Sequence, residues 1–258
     1  MKKKIVILGS TGSIGKTLIE IIKKDKKKFN ILLLTANKNY KTILKQAKKF
    51  KVKNIIIKNK ESYLKSLKLN RDKKLKIYNN FDNFHKIFKN KVDYTMSSIT
   101  GIDGLEPTIK IIKHTKKIAI ANKESLICGW NLINKELVKF NTEFVPVDSE
   151  HFSIWYALKN NKDSIEKLFL TASGGPFNNL SIKKFKKISV KDALNHPNWK
   201  MGKKISIDSA TMMNKVFEVI EAKNIFKTTY KKIDILIHPK SYVHALVQFK
   251  NGISKSNL

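Results

Sequence analysis

Two acidic pairs and a donor-rich loop carry the chemistry of this 258-residue chain. Asp148 and Glu150 flank Ser149 just after a strand-like run, EFVPV at 143–147. Alternate residues on an extended segment point the same way, so both carboxylates can meet one cation. Glu218 and Glu221 stand one helical turn apart and share a face. No Cys/His ligand set accompanies these acids, so an all-oxygen site for Mg²⁺ or Mn²⁺ is favoured over zinc. Taken alone, Asp148 and Glu150 also read as a helix N-cap and its first-turn acid. The segment HPNWKMGKKISIDSATMMNKVFEVIEA at 196–222 adds Ser209, Asn214 and Lys215 to Glu218 and Glu221. Hydroxyl, amide and ammonium donors beside carboxylates make a surface for gripping a phosphate next to a metal.

A second constellation is GSTGSIG at 9–15. Gly9, Gly12 and Gly15 follow a short apolar run and open a helix. This is the context in which glycines let a backbone approach a pyrophosphate at a helix N-terminus. Thr11, Ser13 and Ile14 lie where backbone N–H groups face such a phosphate. The next strand ends in Thr35-Ala36-Asn37-Lys38-Asn39, without the acid that an NAD ribose wants. A lysine between two amides suits a 2′-phosphate and hence NADPH; the alternative is a polar turn with a stray lysine. Lys123, in ANKES, ends another apolar run, where open α/β sheets place ligands. His85, His114 and His238 read as structural, whereas His151 and His196 stand near the chemistry.

Elements that position these residues follow from hydrophobic periodicity. Short apolar runs at 4–8, 31–35, 55–58, 75–78, 92–96 and 117–121 alternate with helical patterns, including ones near 81–89 and 104–114. That alternation means βαβ units and a parallel sheet. The expected fold is α/β: an N-terminal doubly wound, Rossmann-like domain over 1–145, then an α+β catalytic domain over 146–258. In the second part, 209–225 reads as one helix with Met212, Met213, Val216, Phe217, Ile220 and Phe226 as its buried stripe. Residues 233–237 and 242–249 read as strands, and Asn251-Gly252 as a hairpin turn. The return strand stops at Leu258, so this domain is expected to be incomplete at its C-terminus.

Composition narrows the function classes. The formal charge is +33, yet Arg71 is the only arginine and the lysines are spread along the whole chain. Nucleic-acid readers rely on arginine for bidentate contacts and gather their charge in patches, so no nucleic-acid partner is expected. Cys128 is the only cysteine, which fits a reducing compartment. The apolar stretch Ile5 to Leu8 is too short for a signal peptide, and no run approaches the roughly 18 residues of a membrane span. A cytoplasmic enzyme with no membrane partner is the expectation.

GSTGSIG, ANKES, PVDSEH, LTASGGPF, HPNWKMGKKISIDSATMMNK and FEVIEA, in this order, resemble the 1-deoxy-D-xylulose 5-phosphate reductoisomerase family. The resemblance covers essentially the whole chain. It implies an NADP-dependent oxidoreductase of non-mevalonate isoprenoid biosynthesis. That enzyme rearranges and reduces 1-deoxy-D-xylulose 5-phosphate to 2-C-methyl-D-erythritol 4-phosphate with NADPH and Mg²⁺, Mn²⁺ or Co²⁺. Cofactor contacts are implied at Thr11, Gly12, Ser13, Ile14, Asn37, Lys38, Asn39, Asn122, Glu124 and Gly202. Metal ligands are implied at Asp148, Glu150 and Glu218, which with Lys123 form the implied catalytic set. Contacts to the small phosphorylated sugar are implied at Lys123, Ser149, Ser173, His196, Ser209, Asn214, Lys215 and Glu218. Trp199 matches the tryptophan of the family's mobile lid, and the family often has Gly where this chain has Asn37. Family members are homodimers and continue past position 258. The alternative reading is therefore an inactive, truncated homologue that retains nucleotide binding only.

Overall fold

The computed structural model describes residues 2–159, 161, 163–195 and 202–256. The chain divides into two compact units, Met1–Val145 and Pro146–Leu258. In the first, β1 (Lys3–Leu8), α1 (Ser13–Lys24), β2 (Phe29–Ala36), α2 (Tyr40–Phe50), β3 (Asn54–Ile57) and α3 (Lys60–Leu69) alternate strictly. β4 (Lys76–Tyr78), α4 (Phe84–Ile87), β5 (Tyr94–Ser97), α5 (Leu105–Ile112), β6 (Lys117–Ile120), α6 (Lys123–Lys139) and β7 (Glu143–Pro146) complete the series. The seven strands lie in the order β4-β3-β2-β1-β5-β6-β7. Pairing is parallel from β4 through β6. Ile5–Leu8, Leu33, Leu34 and Ile55–Ile57 are buried, as strands covered on both faces require. Strand order reverses between β1 and β5, which creates the crevice where doubly wound sheets bind ligands.

The second unit holds α7 (Ser149–Leu158), β8 (Ile165–Ala172), α8 (Val190–Leu194), α9 (Lys203–Ala210), α10 (Met213–Ile225), β9 (Ile233–Ile237), β10 (Ala245–Phe249) and β11 (Ser254–Ser256). Its sheet runs β11-β10-β8-β9, with β8 and β9 parallel and β10 antiparallel to both β8 and β11. Ile154, Leu168, Leu170, Ala222, Val247 and Phe249 form its apolar core. The Asn251-Gly252 turn closes the β10–β11 hairpin, with Gly252 at φ 84°. No helix among the described residues is long and apolar enough to cross a membrane.

Four local expectations need correction. The helix near 81–89 shrinks to Phe84–Ile87, because an Asn80 side-chain turn takes up the residues before it. The strand expected over 242–249 starts only at Ala245, because Thr171 Oγ1 donates to the Val243 and His244 carbonyls and holds them out of the regular ladder. The single helix over 209–225 is two helices, α9 and α10, broken where Met212 takes a left-handed φ of 60°. The predicted buried stripe holds only in part: Phe226 packs half-buried against the core, but Met213 and Val216 are exposed, and the residues α10 buries fully are Lys215, Glu218, Glu221 and Ala222.

Candidate metal and phosphate site

Pro146 ends β7, and the chain turns at Asp148 into α7. Asp148 occupies the N-cap position, yet its side chain makes no capping hydrogen bond. The Asp148 and Glu150 carboxylates are aimed instead at Glu218 on α10, and ligand atoms of all three lie within 4.8 Å of one another. Lys215, one turn before Glu218, sends Nζ between the acids: 2.9 Å from Glu150 Oε1 and 2.5 Å from Glu218 Oε2. The same ammonium donates to the Thr171 carbonyl, and Asn214 Nδ2 donates to Glu218 Oε1. Ser149 Oγ donates to Glu150 Oε2 at 2.7 Å.

Crowding like charges in a buried place shifts their proton affinities. Burial, then the Asp148 and Glu218 charges and a hydrogen bond with Asp148, push the Glu150 carboxyl up to about 8, against the pull of Lys215. Burial opposes the charge on Lys215, but Glu218 and Glu150 outweigh it and raise its pKa. A hard divalent cation would relieve this crowding, and the carboxylate donors suit Mg²⁺ or Mn²⁺. His151, fully buried on α7, supports the cluster from behind. Its Nε2 lies 2.9 Å from the Glu218 carbonyl oxygen, and its Nδ1 lies 3.8 Å from Glu221 Oε2.

The acids open onto a cavity of 230 Å³ that also includes Ser173, Ser209, Asn214, Lys215 and His244. Its floor is the turn after β8, where Gly174 and Gly175 take φ of 88° and 65°. A side chain at Gly175 would also press 2.9 Å from the Ser209 carbonyl, so glycine lets this turn meet α9. The result is a cavity lined by hydroxyl, amide and ammonium groups beside the three carboxylates.

A separate cavity of 480 Å³ lies at the carboxyl ends of β1, β2 and β5 and is lined by Gly9, Thr11, Gly12, Asn37 and Lys58 among others. Gly12 is the N-cap of α1, so Ser13 and Ile14 form its first turn. Ser10 is buried and locked to Gln46, with Ser10 Oγ donating to Gln46 Oε1 at 2.8 Å. Lys38 and Asn39 are not part of this wall; Asn39 Oδ1 accepts from Thr42 N–H and caps α2. Asn122 caps α6, accepting from Ser125 N–H and donating to the Ile99 and Gly101 carbonyls. Lys123 and Glu124 follow it in the first turn of α6. Gly202 is the exposed N-cap of α9 in the other unit. His196 and Trp199 lie outside the described residues.

Sequence profiles for the N-terminal and C-terminal parts of 1-deoxy-D-xylulose 5-phosphate reductoisomerase match residues 5–129 and 144–226. The Phocaeicola vulgatus reductoisomerase is 42% identical over 259 aligned positions, which cover 100% of this chain and 68% of the relative. The chain belongs to the 1-deoxy-D-xylulose 5-phosphate reductoisomerase family. The Pelagibacter ubique reductoisomerase is 65% identical over 98% of this chain, which spans 66% of that relative's length. The Zymomonas mobilis reductoisomerase, solved with NADPH, superposes with a TM-score of 0.90 at 33% identity, covering 100% of this chain and 67% of its own. A reductoisomerase complex with NADPH, fosmidomycin and magnesium gives 0.90 at 36% identity, covering 99% of this chain and 66% of its own.

Two residues at this cavity, His244 and Thr171, have no signal in the sequence. His244 lies within the strand expected over 242–249, but it lines the acid cavity, and burial lowers its pKa even though Asp148 pulls the other way. Thr171 ties Lys215 to the loop carrying His244 through its carbonyl and hydroxyl. The signal for the glycine turn was present in ASGGPF; Thr171 and His244 had none, because β8–β10 pairing brings them together.

Proposed function

We propose that the chain catalyses the NADPH-dependent rearrangement and reduction of 1-deoxy-D-xylulose 5-phosphate to 2-C-methyl-D-erythritol 4-phosphate. The observation that carries this reading is the convergence of Asp148, Glu150 and Glu218 beside a donor-lined cavity. The family relative that holds NADPH, fosmidomycin and magnesium supports the choice of cofactor and metal. Asp148, Glu150 and Glu218 would hold Mg²⁺ or Mn²⁺, with Co²⁺ as a further candidate. Such an ion, when bound, supplies Lewis acidity toward substrate oxygens.

The protein's own groups do the rest. Ser173, Ser209, Asn214 and Lys215 anchor the phosphate, and that remote binding orients the reacting end. The α1 N-terminus, with Thr11, Gly12, Ser13 and Ile14, offers backbone N–H groups and a positive dipole end to the pyrophosphate of NADPH. Lys123 supplies a positive charge to the developing oxyanion. Ser149 and His196 are further substrate contacts; Asn37, Lys38, Asn39, Asn122, Glu124 and Gly202 are further cofactor contacts. The setting is cytoplasmic isoprenoid biosynthesis, with homodimers as the assembly.

The test is NADPH oxidation by the purified 258-residue chain with 1-deoxy-D-xylulose 5-phosphate and Mn²⁺, with the product identified by mass spectrometry. Substrate- and metal-dependent oxidation is expected. The chain spans 66% of the length of its Pelagibacter relative. A second reading is a homologue that binds nucleotide without turnover. A folded chain that binds NADPH but forms no product selects that second reading. A folded chain that binds no NADPH overturns both.

A further inference from the structure

We propose that the amino-terminal end of the parallel sheet carries a second anion site, a cavity that takes a soluble phosphate monoester bearing an apolar chain. The cavity measures 740 Å³ and lies at the amino ends of β1, β5 and β6. It shares no residue with the acid cavity or with the nucleotide cavity. The nucleotide cavity opens at the other end of β1, about 20 Å away along a six-residue strand.

Positive charge gathers here more densely than along the chain. Lys2, Lys3, Lys4, Lys91, Lys116 and Lys117 are six of the 14 lining residues. Lysine and arginine together are 53 of the 258 residues, so their density doubles in this wall. Asp93 is the one carboxylate in the wall, and both its oxygens are engaged. Oδ2 accepts from Lys4 N–H and Oδ1 from Lys116 Nζ, each at 2.8 Å. Asp93 N–H in turn donates to the Lys4 carbonyl at 3.0 Å, which ties the starts of β1 and β5 together. Lys117 Nζ lies 2.9 Å from Glu143 Oε2, and Lys91 Nζ donates to the Phe140 carbonyl. Among the described residues, no carboxylate pairs with the ammonium groups of Lys2, Lys3 or Lys4. Three uncompensated lysines therefore stand at the wall of one cavity.

Beside the lysines the wall is apolar. Leu18, Ile21 and Ile22 of α1 and Phe29 of β2 line it. Ile21 is 54% exposed, while Ile19 and Ile22 of the same helix are buried. Tyr94 adds a hydroxyl, which burial keeps protonated and able to donate. Ammonium groups beside exposed hydrocarbon complement a ligand with an anionic head and an apolar tail. A phosphate monoester suits the head better than a carboxylate, since at neutral pH it brings about −1.5 to −2 charges and three acceptor oxygens. The concave shape and the volume suit a small molecule and not the flat surface of a bilayer.

The experiment is isothermal titration calorimetry of the 258-residue chain with octyl phosphate below its micellar range, with inorganic phosphate and with octyltrimethylammonium. Thermal unfolding confirms that each variant is folded. One saturable site for octyl phosphate is expected, with inorganic phosphate at least roughly tenfold weaker and no binding of the cationic surfactant. Saturating NADPH or 1-deoxy-D-xylulose 5-phosphate should not displace it. Lys3→Gln combined with Lys4→Gln should weaken octyl phosphate roughly tenfold, and Ile21→Ser should weaken it severalfold. The same loss of charge in the second unit, Lys186→Gln with Lys187→Gln, should change it by less than about twofold. An equal loss in the two lysine pairs overturns the inference, because the attraction would then belong to net charge. Displacement by NADPH or by the sugar phosphate also overturns it, since the ligand would then sit in the nucleotide or the acid cavity. So does an unchanged affinity in Ile21→Ser, an absence of saturable binding, or binding to phosphatidic acid vesicles without binding of monomeric octyl phosphate.

Discussion

Replacing Glu150 by glutamine should make the C-terminal unit more stable while destroying its affinity for a divalent cation. The carboxyl is pushed up to about 8 by burial, by Asp148 and by Glu218, and that net shift already includes the attraction of Lys215. A folded-state pKa above the unfolded value means that the folded protein binds this proton more tightly. Stability is therefore fully retained below the unfolded value and is lost as pH rises through the window up to about 8. Glutamine mimics the protonated acid, so parent and variant should match at low pH and diverge across that window. At neutral pH the difference is about 3 kcal/mol in favour of the variant, which corresponds to a rise in Tm on the order of 10 °C for a unit of this size. The assay is thermal or urea unfolding at pH 5 and pH 8, with and without Mn²⁺. Added Mn²⁺ should raise the Tm of the parent and leave the variant unmoved. A variant that is less stable than the parent at pH 8 without added metal would refute the reasoning. It would mean that the Lys215–Glu150 contact outweighs the repulsion among the acids.

Three further perturbations probe the neighbouring structure. Asp148→Asn should weaken Mn²⁺ binding by roughly ten- to a hundredfold and abolish turnover; full activity in excess Mn²⁺ would rule out a ligand role. His151→Leu removes the donor 2.9 Å from the Glu218 carbonyl. It should cost about 1–3 kcal/mol in chemical unfolding and also lower Mn²⁺ affinity, and unchanged values in both would show that this hydrogen bond does not hold Glu218 in place. Gly15→Ala would put a methyl group against the Gly9 carbonyl oxygen and 2.6 Å from Ser10 Cα. A loss of about 1–3 kcal/mol from the N-terminal unit is expected with reduced NADPH binding, checked by differential scanning calorimetry and titration.

The N-terminal architecture was legible because parallel strands buried on both faces must be apolar throughout, as Ile5–Leu8 and Ile55–Ile57 are. Glycine spacing located the turn into α1 for the same kind of local reason. Periodicity misled at α10. It assumes that the apolar face of a helix points inward, whereas Lys215, Glu218 and Glu221 are the buried residues and Met213 is 44% exposed. Charged residues can be buried there because they neutralise one another and bond to Thr171 and Asn214. The Met212 break was illegible, since a left-handed φ at methionine has no sequence signal. The position of His244 is set by hydrogen bonds from Thr171 of β8, distant in the chain, and no local pattern encodes that.

The amino end of α7 has one more consequence. Asp148 is the N-cap of that helix and Glu150 stands in its first turn, where the amide hydrogens carry partial positive charge. This local field comforts two anions and pushes against any dication they would share. Meanwhile the greasy centre of the unit, Ile154 to Phe249, sits on other side chains and makes no demand on an ion. The metal would be a visitor, not a strut. Chelators should strip it and leave the scaffold upright, and magnesium and manganese should trade places readily.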